Sequence, residues 1–347
     1  MFAVDNLFLQ INSTTMKQKA TLKNLSKTLN ISISTVSRAL KNHPDISDET
    51  KKKVKELAAL MDYEPNTYAI NLRTNKSNIL GVIVPEISNF FYHSFIAAIE
   101  EEARRLNYML LILQSANNAE TELENLKLCR MNRVAGVFVA LTSHTKEIKP
   151  FLQLEETGTP IIFCDKVPDF EACNKICSAD AEATIISANA ILKSNKRKVL
   201  AVLGNIDLSI TKKREQVFKE TLENSNEQIN LEITHANSSE EATHKTLQYL
   251  SNNMQRPEVI FCMSDEILTG VMKAIYQTEL KVPKDISVIA ISNGFLPTLF
   301  SPEITHVVTS GIDLGKLAFK RMMDYQSGKT FAQELTIRAR FVEGGSL

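Results

Sequence analysis

The sequence of 347 residues contains no apolar run that approaches the ~18 consecutive residues needed for a membrane-spanning helix, so we do not expect the chain to cross a bilayer. Its first fifteen residues lack a basic n-region and a small-residue cleavage pattern, which argues against a signal peptide. Cysteine is scarce, with five residues, and the spacing of Cys173 and Cys177 fits neither a zinc knuckle nor a redox CxxC pair. These absences predict a reduced, cytoplasmic protein.

Motifs for catalysis and metal binding are also missing. The sequence has no GxGxxG, P-loop, GxSxG or HExxH pattern, and its six histidines are scattered without metal-ligand spacing. We therefore predict that the protein is not an enzyme and needs no metal or other cofactor. A sugar-modifying α/β enzyme with a fused helical domain stays open as an alternative, because a fold alone never excludes chemistry.

Charge is balanced over the whole chain but not along it. The 40 basic residues match the 40 acidic ones, yet residues 16–78 carry a net charge of +6 and residues 79–347 carry −5. The apolar and charged fractions, 44% and 23%, are those of a globular protein long enough for two or three domains. The charge asymmetry favours a small polyanion-binding module joined to a body that does not bind polyanions.

The basic segment has the pattern of a helix-turn-helix. Leucines recur at helical spacing after Thr21, a good N-cap, which predicts a short first helix. Asn30 tolerates a left-handed backbone and so permits a sharp turn, after which Ser32 can cap a second short helix. A third helix is predicted to follow, with Asp48 or Ser47 as its cap. Two short helices joined by a tight turn are typical of DNA-binding proteins.

The second helix and the segment that follows the third helix supply candidate DNA contacts. The apolar positions of the second helix face the first helix, which leaves Ile33, Ser34, Ser37 and Arg38 on the outer side, and an arginine is well suited to bind a guanine edge. In residues 63–73, Pro65 could begin a helix that is too short to be stable alone. On its face, Leu72 suits an apolar wedge between base pairs, flanked by phosphate contacts.

These segments resemble the LacI/GalR family of bacterial transcription regulators. The resemblance rests on TLKNLSKTLNISISTVSRALKNHPDIS and YEPNTYAINLRTNKSNILGVIVP, above all on the TVSRAL core and the YxPNxxAxxL hinge. It implies that the second helix reads the major groove and that Leu72 enters the minor groove at the centre of the operator. The sequence departs from the family at Ser26, Leu29 and Asn30, where Ala, Ala and Gly are usual. The expected DNA-binding residues are Thr21, Ile33, Ser34, Thr35, Ser37, Arg38, Asn66, Ala69, Leu72 and Arg73.

The body contains recurring apolar, β-branched runs, at 79–85, 108–113, 136–140, 160–164, 198–204, 259–263 and 287–292. The early runs are separated by enough chain for crossover helices, such as 95–106 and 123–131. Apolar strands that alternate with helices predict buried parallel sheets, and the length allows two α/β lobes. The expected fold is therefore an all-α N-terminal helix-turn-helix with a hinge helix, followed by a two-lobed body with parallel sheets.

Ligands of open parallel sheets bind beyond the carboxyl ends of the strands, so the residues there are candidates for an effector site. Carboxylates, amides and an arginine suit hydroxyl-rich or anionic molecules, and aromatic rings provide stacking faces. The family resemblance extends here through SNFF, DKV, KREQVF, SDEILTGVMKAI and VPKDISVIAIS, and implies a periplasmic-binding-protein-like sensor. The candidates are Phe90, Phe91, Asp165, Arg214, Phe218, Ser264, Asp265, Ser292 and Asn293.

Two of these positions depart from the family, because Ser264 stands where Asn is usual and Ser292 where Asp is frequent. A plain sugar is therefore less secure as the effector. A modified or acidic sugar, a nucleoside-like molecule and the absence of any effector all remain open.

The domain plan places a disordered extension at 1–15, the helix-turn-helix at 16–62, the hinge at 63–78 and the effector-binding and dimerisation body at 79–347. Within the body we expect lobe 1 at about 79–177 and 309–334, and lobe 2 at about 178–305 and 335–347. The predicted function is a homodimeric repressor of carbohydrate-metabolism genes that binds a pseudo-palindromic operator in double-stranded DNA under the control of a sugar-like effector. The alternative is a ligand sensor whose helix-turn-helix no longer binds DNA.

Overall fold

The computed structural model describes residues 20–64, 77–251, 256–329 and 331–347. The chain divides into two compact units, the N-terminal unit Met1–Lys76 and the body Ser77–Leu347. The extension at 1–15 and four expected DNA contacts, Asn66, Ala69, Leu72 and Arg73, lie outside the described residues. Among the helices described, none is both long and apolar enough to span a membrane.

Three helices form the N-terminal unit, namely α1 (Leu22–Leu29), α2 (Ile33–Leu40) and α3 (Asp48–Leu60). Each begins as its cap predicts. The hydroxyl of Thr21 accepts a hydrogen bond from the Asn24 amide, and those of Ser32 and Ser47 accept from Thr35 and Thr50 in the same way. Because a hydroxyl cap satisfies a free amide of the first turn, these side chains fix where each helix starts.

The turn between α1 and α2 needs no glycine. Asn30 has φ 51° and ψ 41°, in the left-handed region that asparagine tolerates, as the sequence predicts. Ser26, one of the departures from the family pattern, donates its hydroxyl to the carbonyl of Ile31 at 2.7 Å and so ties the turn to α1. Leu25 and Val36 are fully buried and join the two helices to α3 in one small apolar core.

Two six-stranded sheets organise the body. The strands in chain order are β1 (Ile79–Val84), β2 (Met109–Gln114), β3 (Gly136–Val139), β4 (Ile161–Cys164), β5 (Asn174–Ser178), β6 (Lys198–Leu203), β7 (Asn230–His235), β8 (Val259–Cys262), β9 (Ser287–Ser292), β10 (Thr305–Val308), β11 (Glu334–Ile337) and β12 (Arg340–Val342). The helices are α4 (Phe90–Arg105), α5 (Ala119–Met131), α6 (Lys149–Glu156), α7 (Asp180–Lys193), α8 (Ser209–Glu223), α9 (Ser239–Ser251), α10 (Asp265–Gln277) and α11 (Gly311–Gln326), with a 3₁₀ turn at Leu296–Leu299.

Each sheet is the centre of one lobe. Lobe 1 has the strand order β11-β5-β4-β3-β1-β2 with every neighbouring pair parallel, and lobe 2 has the order β12-β10-β9-β8-β6-β7 with only the β10–β12 pair antiparallel. All seven predicted apolar runs form strands, and they include the fully buried β3, β4 and β8. Helices cover both faces, which is how parallel sheets bury both of their surfaces.

The chain passes between the lobes three times, and three of the expected boundaries need correction. Strand β5 ends at Ser178, so lobe 1 extends one residue past the expected 177. Leu335 and Ile337 pair with Ile176 and Ser178, so lobe 1 extends through 337 rather than ending at 334. Residues Thr305–Val308 belong to the sheet of lobe 2, which therefore extends beyond the expected 305. These short strands lie near sheet edges and carry polar residues, so they lack the continuous apolar run that marks a central strand.

The two predicted crossover helices also begin earlier than expected, at Phe90 and Ala119 rather than at 95 and 123. Asn89 and Asn118 cap them, each accepting a hydrogen bond from a backbone amide of the first turn. The start of α4 matters for the site, because its first turn lies at the carboxyl end of β1.

Candidate DNA-binding and effector-binding sites

The outer face of α2 is the candidate DNA-reading surface. Ile33 is 47% exposed, Ser34 and Arg38 are also exposed, and Val36 and Ala39 on the opposite side are fully buried. This is the orientation that the helical spacing predicts. Hydroxyls gather at the start of the helix, since Ser32 Oγ lies 2.7 Å from Ser34 Oγ and 2.8 Å from the hydroxyl of Thr35.

Arg38 has a partner that sequence reasoning missed. One nitrogen of its guanidinium lies 3.8 Å from Asp45 Oδ2, and His43 Nδ1 is 3.3 Å from the same carboxylate oxygen. The side chains of Arg38 and Asp45 are both more than half exposed, so the pair is weak and easily exchanged. Arg38 is therefore available to a base edge or a phosphate.

The other expected DNA contacts of this unit are at its surface to different degrees. Thr21 is exposed at the cap of α1, whereas Thr35 and Ser37 are half-buried. The lysines of α3 engage local partners, since Lys51 and Lys53 pair with Asp48 and Glu49. The Lys53 side chain is 63% exposed but that of Lys51 only 17%, so only part of the lysine run faces solvent.

At the carboxyl ends of the lobe 1 strands, Phe90, Phe91 and Asp165 occupy neighbouring loops and helix starts. Phe90 is 42% exposed, and the half-buried ring of Phe91 meets Tyr92 edge-on. Asp165 follows β4 with a left-handed backbone, φ 62°, and its Oδ2 accepts a 2.6 Å hydrogen bond from the hydroxyl of Tyr92. Burial raises the pKa of Asp165, and the bond from Tyr92 opposes that rise.

A second acidic group, Glu122, lies next to these loops and was not predicted. It is fully buried on α5 and accepts hydrogen bonds from the Thr142 amide at 2.8 Å and the Thr145 hydroxyl at 2.6 Å. Burial raises the pKa of Glu122 and lowers the pKa of Lys166, and the attraction between the two opposes both shifts. Lys166 directly follows Asp165, so charges of both signs lie at the end of β4, with Glu122 beside the loop that follows β3.

In lobe 2, Arg214 is held by groups from two other segments. One guanidinium nitrogen donates to Asp180 Oδ1 at 2.5 Å and another to the carbonyl of Met263 at 2.6 Å. Arg214 is 5% exposed, so its charge depends on these partners. Asp180, at the start of α7, was not among the predicted residues.

The predicted pair Asp265 and Ser292 form one buried network. The Ser292 hydroxyl donates to Asp265 Oδ1, and the backbone amide of Asn293 donates to Oδ2 at 3.0 Å. Burial raises the pKa of Asp265, while both bonds lower it. Ser264 caps α10 through the Ile267 amide. A hydroxyl at position 292 suits this arrangement, because a second carboxylate beside Asp265 would repel it.

Asn293 connects the lobes. Its side-chain Nδ2 donates to the carbonyl oxygen of Phe90 at 2.8 Å and lies 3.4 Å from Ser94 Oγ, and both of these belong to α4 of lobe 1. The carboxyl ends of β1 and β9 therefore face each other. This is the arrangement expected of two lobes that enclose a ligand.

The prediction for Phe218 is wrong. Its side chain has no exposed surface, and its ring stacks on Phe261 with centroids 4.4 Å apart and planes 10° from parallel. Phe218 lies one helical turn after Arg214, where α8 packs onto the sheet, and it therefore contributes to the core of lobe 2. It presents no face to a ligand in this structure.

Within the ranges that the structure describes, no group of three or more His, Cys, Asp or Glu side chains could hold a metal ion. The five cysteines are free, and four of them are buried. Burial raises the pKa of Cys129 and of the half-buried Cys177 to about 12, so neither has the character of a reactive thiolate.

Two family models match the chain. The model for "Bacterial regulatory proteins, lacI family" matches residues 21–66, and the model for "Periplasmic binding proteins and sugar binding domain of LacI family" matches residues 77–343. Among curated relatives, the HTH-type transcriptional repressor PurR of Vibrio vulnificus (strain CMCP6) is 24% identical and covers 88% of this chain and 91% of its own length. Catabolite control protein A of Priestia megaterium is 26% identical, covering 89% and 93%.

Solved structures show the same fold. The lac repressor dimer bound to operator and the anti-inducer ONPF superposes with a TM-score of 0.84 at 19% identity, covering 95% of this chain and 99% of that one. A LacI family transcriptional regulator from Enterococcus faecium with bound ribose has a TM-score of 0.67 at 19% identity, with coverage of 77% and 98%.

A helix-turn-helix followed by a two-lobed periplasmic-binding-protein-like body defines a class of DNA-binding transcription regulators. The chain belongs to the LacI family of bacterial regulatory proteins, whose two models together match both of its units. This membership also agrees with the expectation that the protein is not an enzyme.

Proposed function

We propose that the protein is a homodimeric repressor that binds a pseudo-palindromic operator and responds to a small, hydroxyl-rich effector held between its lobes. The exposed outer face of α2 carries this proposal. On that face the guanidinium of Arg38 is only weakly paired with Asp45 and can bind DNA instead. The face belongs to a basic unit that matches a family of DNA-binding regulators. Two copies of that face, related by two-fold symmetry, suit two half-sites in successive major grooves.

The DNA contacts divide into two groups. Ile33, Ser34 and Arg38 would meet base edges, while Thr21, Thr35 and Ser37 would position the helix against phosphates. For residues 65–76 the proposal rests on the sequence alone. There Leu72 would enter the minor groove between base pairs, while Asn66, Ala69 and Arg73 would pack beside it or contact the backbone of the DNA.

The effector site would lie where the strand ends of the two lobes face each other. Lobe 1 offers Phe90, Phe91 and Asp165, and lobe 2 offers Arg214 and the side-chain oxygen of Asn293, which together provide stacking faces, a carboxylate, a guanidinium and an amide oxygen. Such groups bind hydroxyl-rich molecules, and the ribose-bound structure of a similar protein supports a sugar-like effector. The buried pair Asp265 and Ser292 would shape this pocket from behind.

A sugar-like effector makes genes of carbohydrate metabolism the expected targets. The effector would act by changing how the lobes close, which changes the spacing of the two hinge segments and so the affinity for DNA. A repressor works where its operator lies, and we therefore place the protein in the cytoplasm.

Selection of random and genomic DNA by the purified full-length protein, with and without a mixed pool of sugars and sugar acids, tests this proposal. We expect an enriched palindrome whose recovery changes in the presence of the pool, and Arg38→Ala should lose it. Enrichment of no sequence under either condition would favour the alternative of a ligand sensor with an inactive DNA-binding unit. In that case, binding of a sugar to the body by calorimetry would separate the sensor from a protein with neither function.

A further inference from the structure

Asn293 makes a direct hydrogen-bonded link between the two lobes of the body. It follows the last residue of β9 in lobe 2, yet its side-chain amide donates to the carbonyl oxygen of Phe90, 2.8 Å away in lobe 1. The same nitrogen lies 3.4 Å from Ser94 Oγ, one turn further along α4. The amide nitrogen is thus committed to lobe 1 rather than directed to a ligand.

The lobe 2 end of this link is held firmly. The backbone amide of Asn293 donates to Asp265 Oδ2 at 3.0 Å, and the amide of Gly294 donates to Ser292 Oγ at 2.9 Å. Gly294 has φ +100°, a conformation that L side chains rarely adopt, so the chain turns sharply just after Asn293. Because Asp265 and Ser292 are 8% and 2% exposed, this turn is fixed to the core of lobe 2.

The lobe 1 end is equally fixed. Phe90 is the first residue of α4, a helix of 16 residues, and Asn89 caps that helix through the Phe91 amide at 3.0 Å. The Ser94 hydroxyl donates its proton to the carbonyl of Phe91 at 2.8 Å. The hydroxyl oxygen is therefore left to accept a hydrogen bond from Asn293 Nδ2. The link therefore joins two rigid elements, and it breaks when the lobes move by more than the tolerance of a hydrogen bond.

We propose that Asn293 is a positioning residue for regulation, an interlobe clamp that stabilises the lobe orientation of this structure. The consequence for DNA rests on the proposed function above, but the clamp itself does not. Asn293→Asp removes both donor hydrogens and sets a carboxylate against the Phe90 carbonyl oxygen, so it should open the lobes. Asn293→Ala removes the bond without adding repulsion and should have a smaller effect in the same direction.

Lobe orientation can be measured directly by pulsed electron spin resonance between labels at E120C and E240C. Both positions are exposed, in the first turns of the helices that follow the edge strands β2 and β7. The full-length protein is labelled and mixed with excess unlabelled protein, so that a dimer carries labels in one copy only. Burial raises the pKa of the partly accessible Cys177 to about 12, which favours labelling at the introduced sites.

Asn205→Ala is the matched control. Asn205 also follows a strand of lobe 2, but its side chain accepts a hydrogen bond from the Asp207 amide of the same loop. Without DNA or effector, we expect the label distances to lengthen or broaden in Asn293→Asp, to change less in Asn293→Ala and to stay as in the wild type in Asn205→Ala. Identical distributions in folded wild-type and Asn293 variants would overturn the clamp.

Operator affinity is measured on the same proteins to test the regulatory consequence. We expect the Asn293 variants to shift effector-free affinity by about threefold to thirtyfold, the range in which coupling between distant sites commonly lies. A change of label distances without a change of affinity would keep the clamp and overturn its role in regulation. Loss of DNA binding by the wild-type protein itself would instead refute the proposed function, and the label distances would still decide the clamp.

Discussion

The hydroxyl of Tyr92 in α4 donates a 2.6 Å hydrogen bond to Oδ2 of Asp165 at the end of β4. Tyr92 is 4% exposed and Asp165 is only partly accessible, so the bond forms in surroundings that disfavour a free carboxylate. The bond ties the first turns of α4 to the loop of a neighbouring strand. It connects the residue that we assign to the effector with the helix that carries Phe90 and Phe91.

Tyr92→Phe should therefore weaken both the body and its site. Loss of a hydrogen bond to a charged group costs about 1.5–3 kcal/mol in the free energy of unfolding, and it should raise the pKa of Asp165 further. Urea unfolding at neutral pH measures the first effect. Tyr108→Phe is the control, because that hydroxyl bonds to Gln326 at an exposed site. Equal losses in the two variants would argue against a special role for the Tyr92 bond.

Glu122→Gln should make the stability of the body less dependent on pH. Burial raises the folded-state pKa of Glu122 above its unfolded value, so the folded state binds the proton more tightly. The stability that protonated Glu122 contributes is fully present below the unfolded-state pKa of about 4.3. It is lost as the pH rises through the folded-state pKa. Glutamine does not titrate and removes this slope.

Melting temperatures of the body, measured from pH 4.5 upwards, check this. The exposed Glu120→Gln, on the same helix α5, should leave the slope unchanged. A wild-type profile that rises with pH over this range, unaltered by Glu122→Gln, would contradict the assignment.

Arg38→Ala should cost about 1–3 kcal/mol of operator binding and relax base choice at one position of each half-site. The exposed partner is the useful comparison, since Asp45→Asn frees the guanidinium and removes a negative charge near the DNA. We expect Asp45→Asn to bind the operator at least as tightly as the wild type, with an unchanged sequence preference. Competition binding against operators that vary at each position would measure both, and an intact preference in Arg38→Ala would exclude base reading by this residue.

Leu72→Ala, in the segment outside the described residues, should weaken operator binding while leaving weak, salt-sensitive binding to random DNA intact. An apolar wedge contributes only where the duplex opens to receive it, whereas phosphate contacts are independent of sequence. Leu60→Ala is the control, because Leu60 is 84% exposed at the end of α3. Fluorescence anisotropy on operator and random DNA over a salt series separates the specific from the non-specific binding. An equal loss on the two DNAs would count against the wedge.

Phe218→Ala should destabilise the body by about 3–5 kcal/mol, because it removes a fully buried ring that stacks on Phe261 and leaves a cavity. Phe90→Ala, at a residue 42% exposed, should change stability little but weaken the binding of an effector. Chemical denaturation measures the stability of each variant, and titration calorimetry on the folded protein measures its effector affinity. If Phe90→Ala lost more stability and Phe218→Ala lost more effector affinity, Phe218 would belong to the effector site and Phe90 would not.

The features that the sequence predicts best are those set by neighbouring residues. Thr21, Ser32 and Ser47 cap helices through amides three residues away, and Asn30 turns the chain through its own backbone angles. The central strands are predictable because burial on both faces requires continuous apolar runs. Strand β7, with the sequence NLEITH, lies at a sheet edge and keeps polar residues, so no such run marks it.

The site is less predictable because its partners come from distant segments. Asp180 reaches Arg214 across 34 residues, and Tyr92 reaches Asp165 across 73. The 3.6-residue period places Arg214 and Phe218 on one side of α8, but it does not tell which turn lies at the lip of the lobe and which over the sheet. That difference is the reason for the wrong assignment of Phe218.

The three passages of the chain between the lobes have a consequence for biosynthesis. The sheet of lobe 1 is completed by residues 334–337 and that of lobe 2 by residues 340–342, so neither is whole until nearly the entire described chain has left the ribosome. The three helices of the N-terminal unit need only the first segment and pack on contacts close in sequence. During translation, the DNA-binding N-terminal unit can therefore fold well before the body that regulates it.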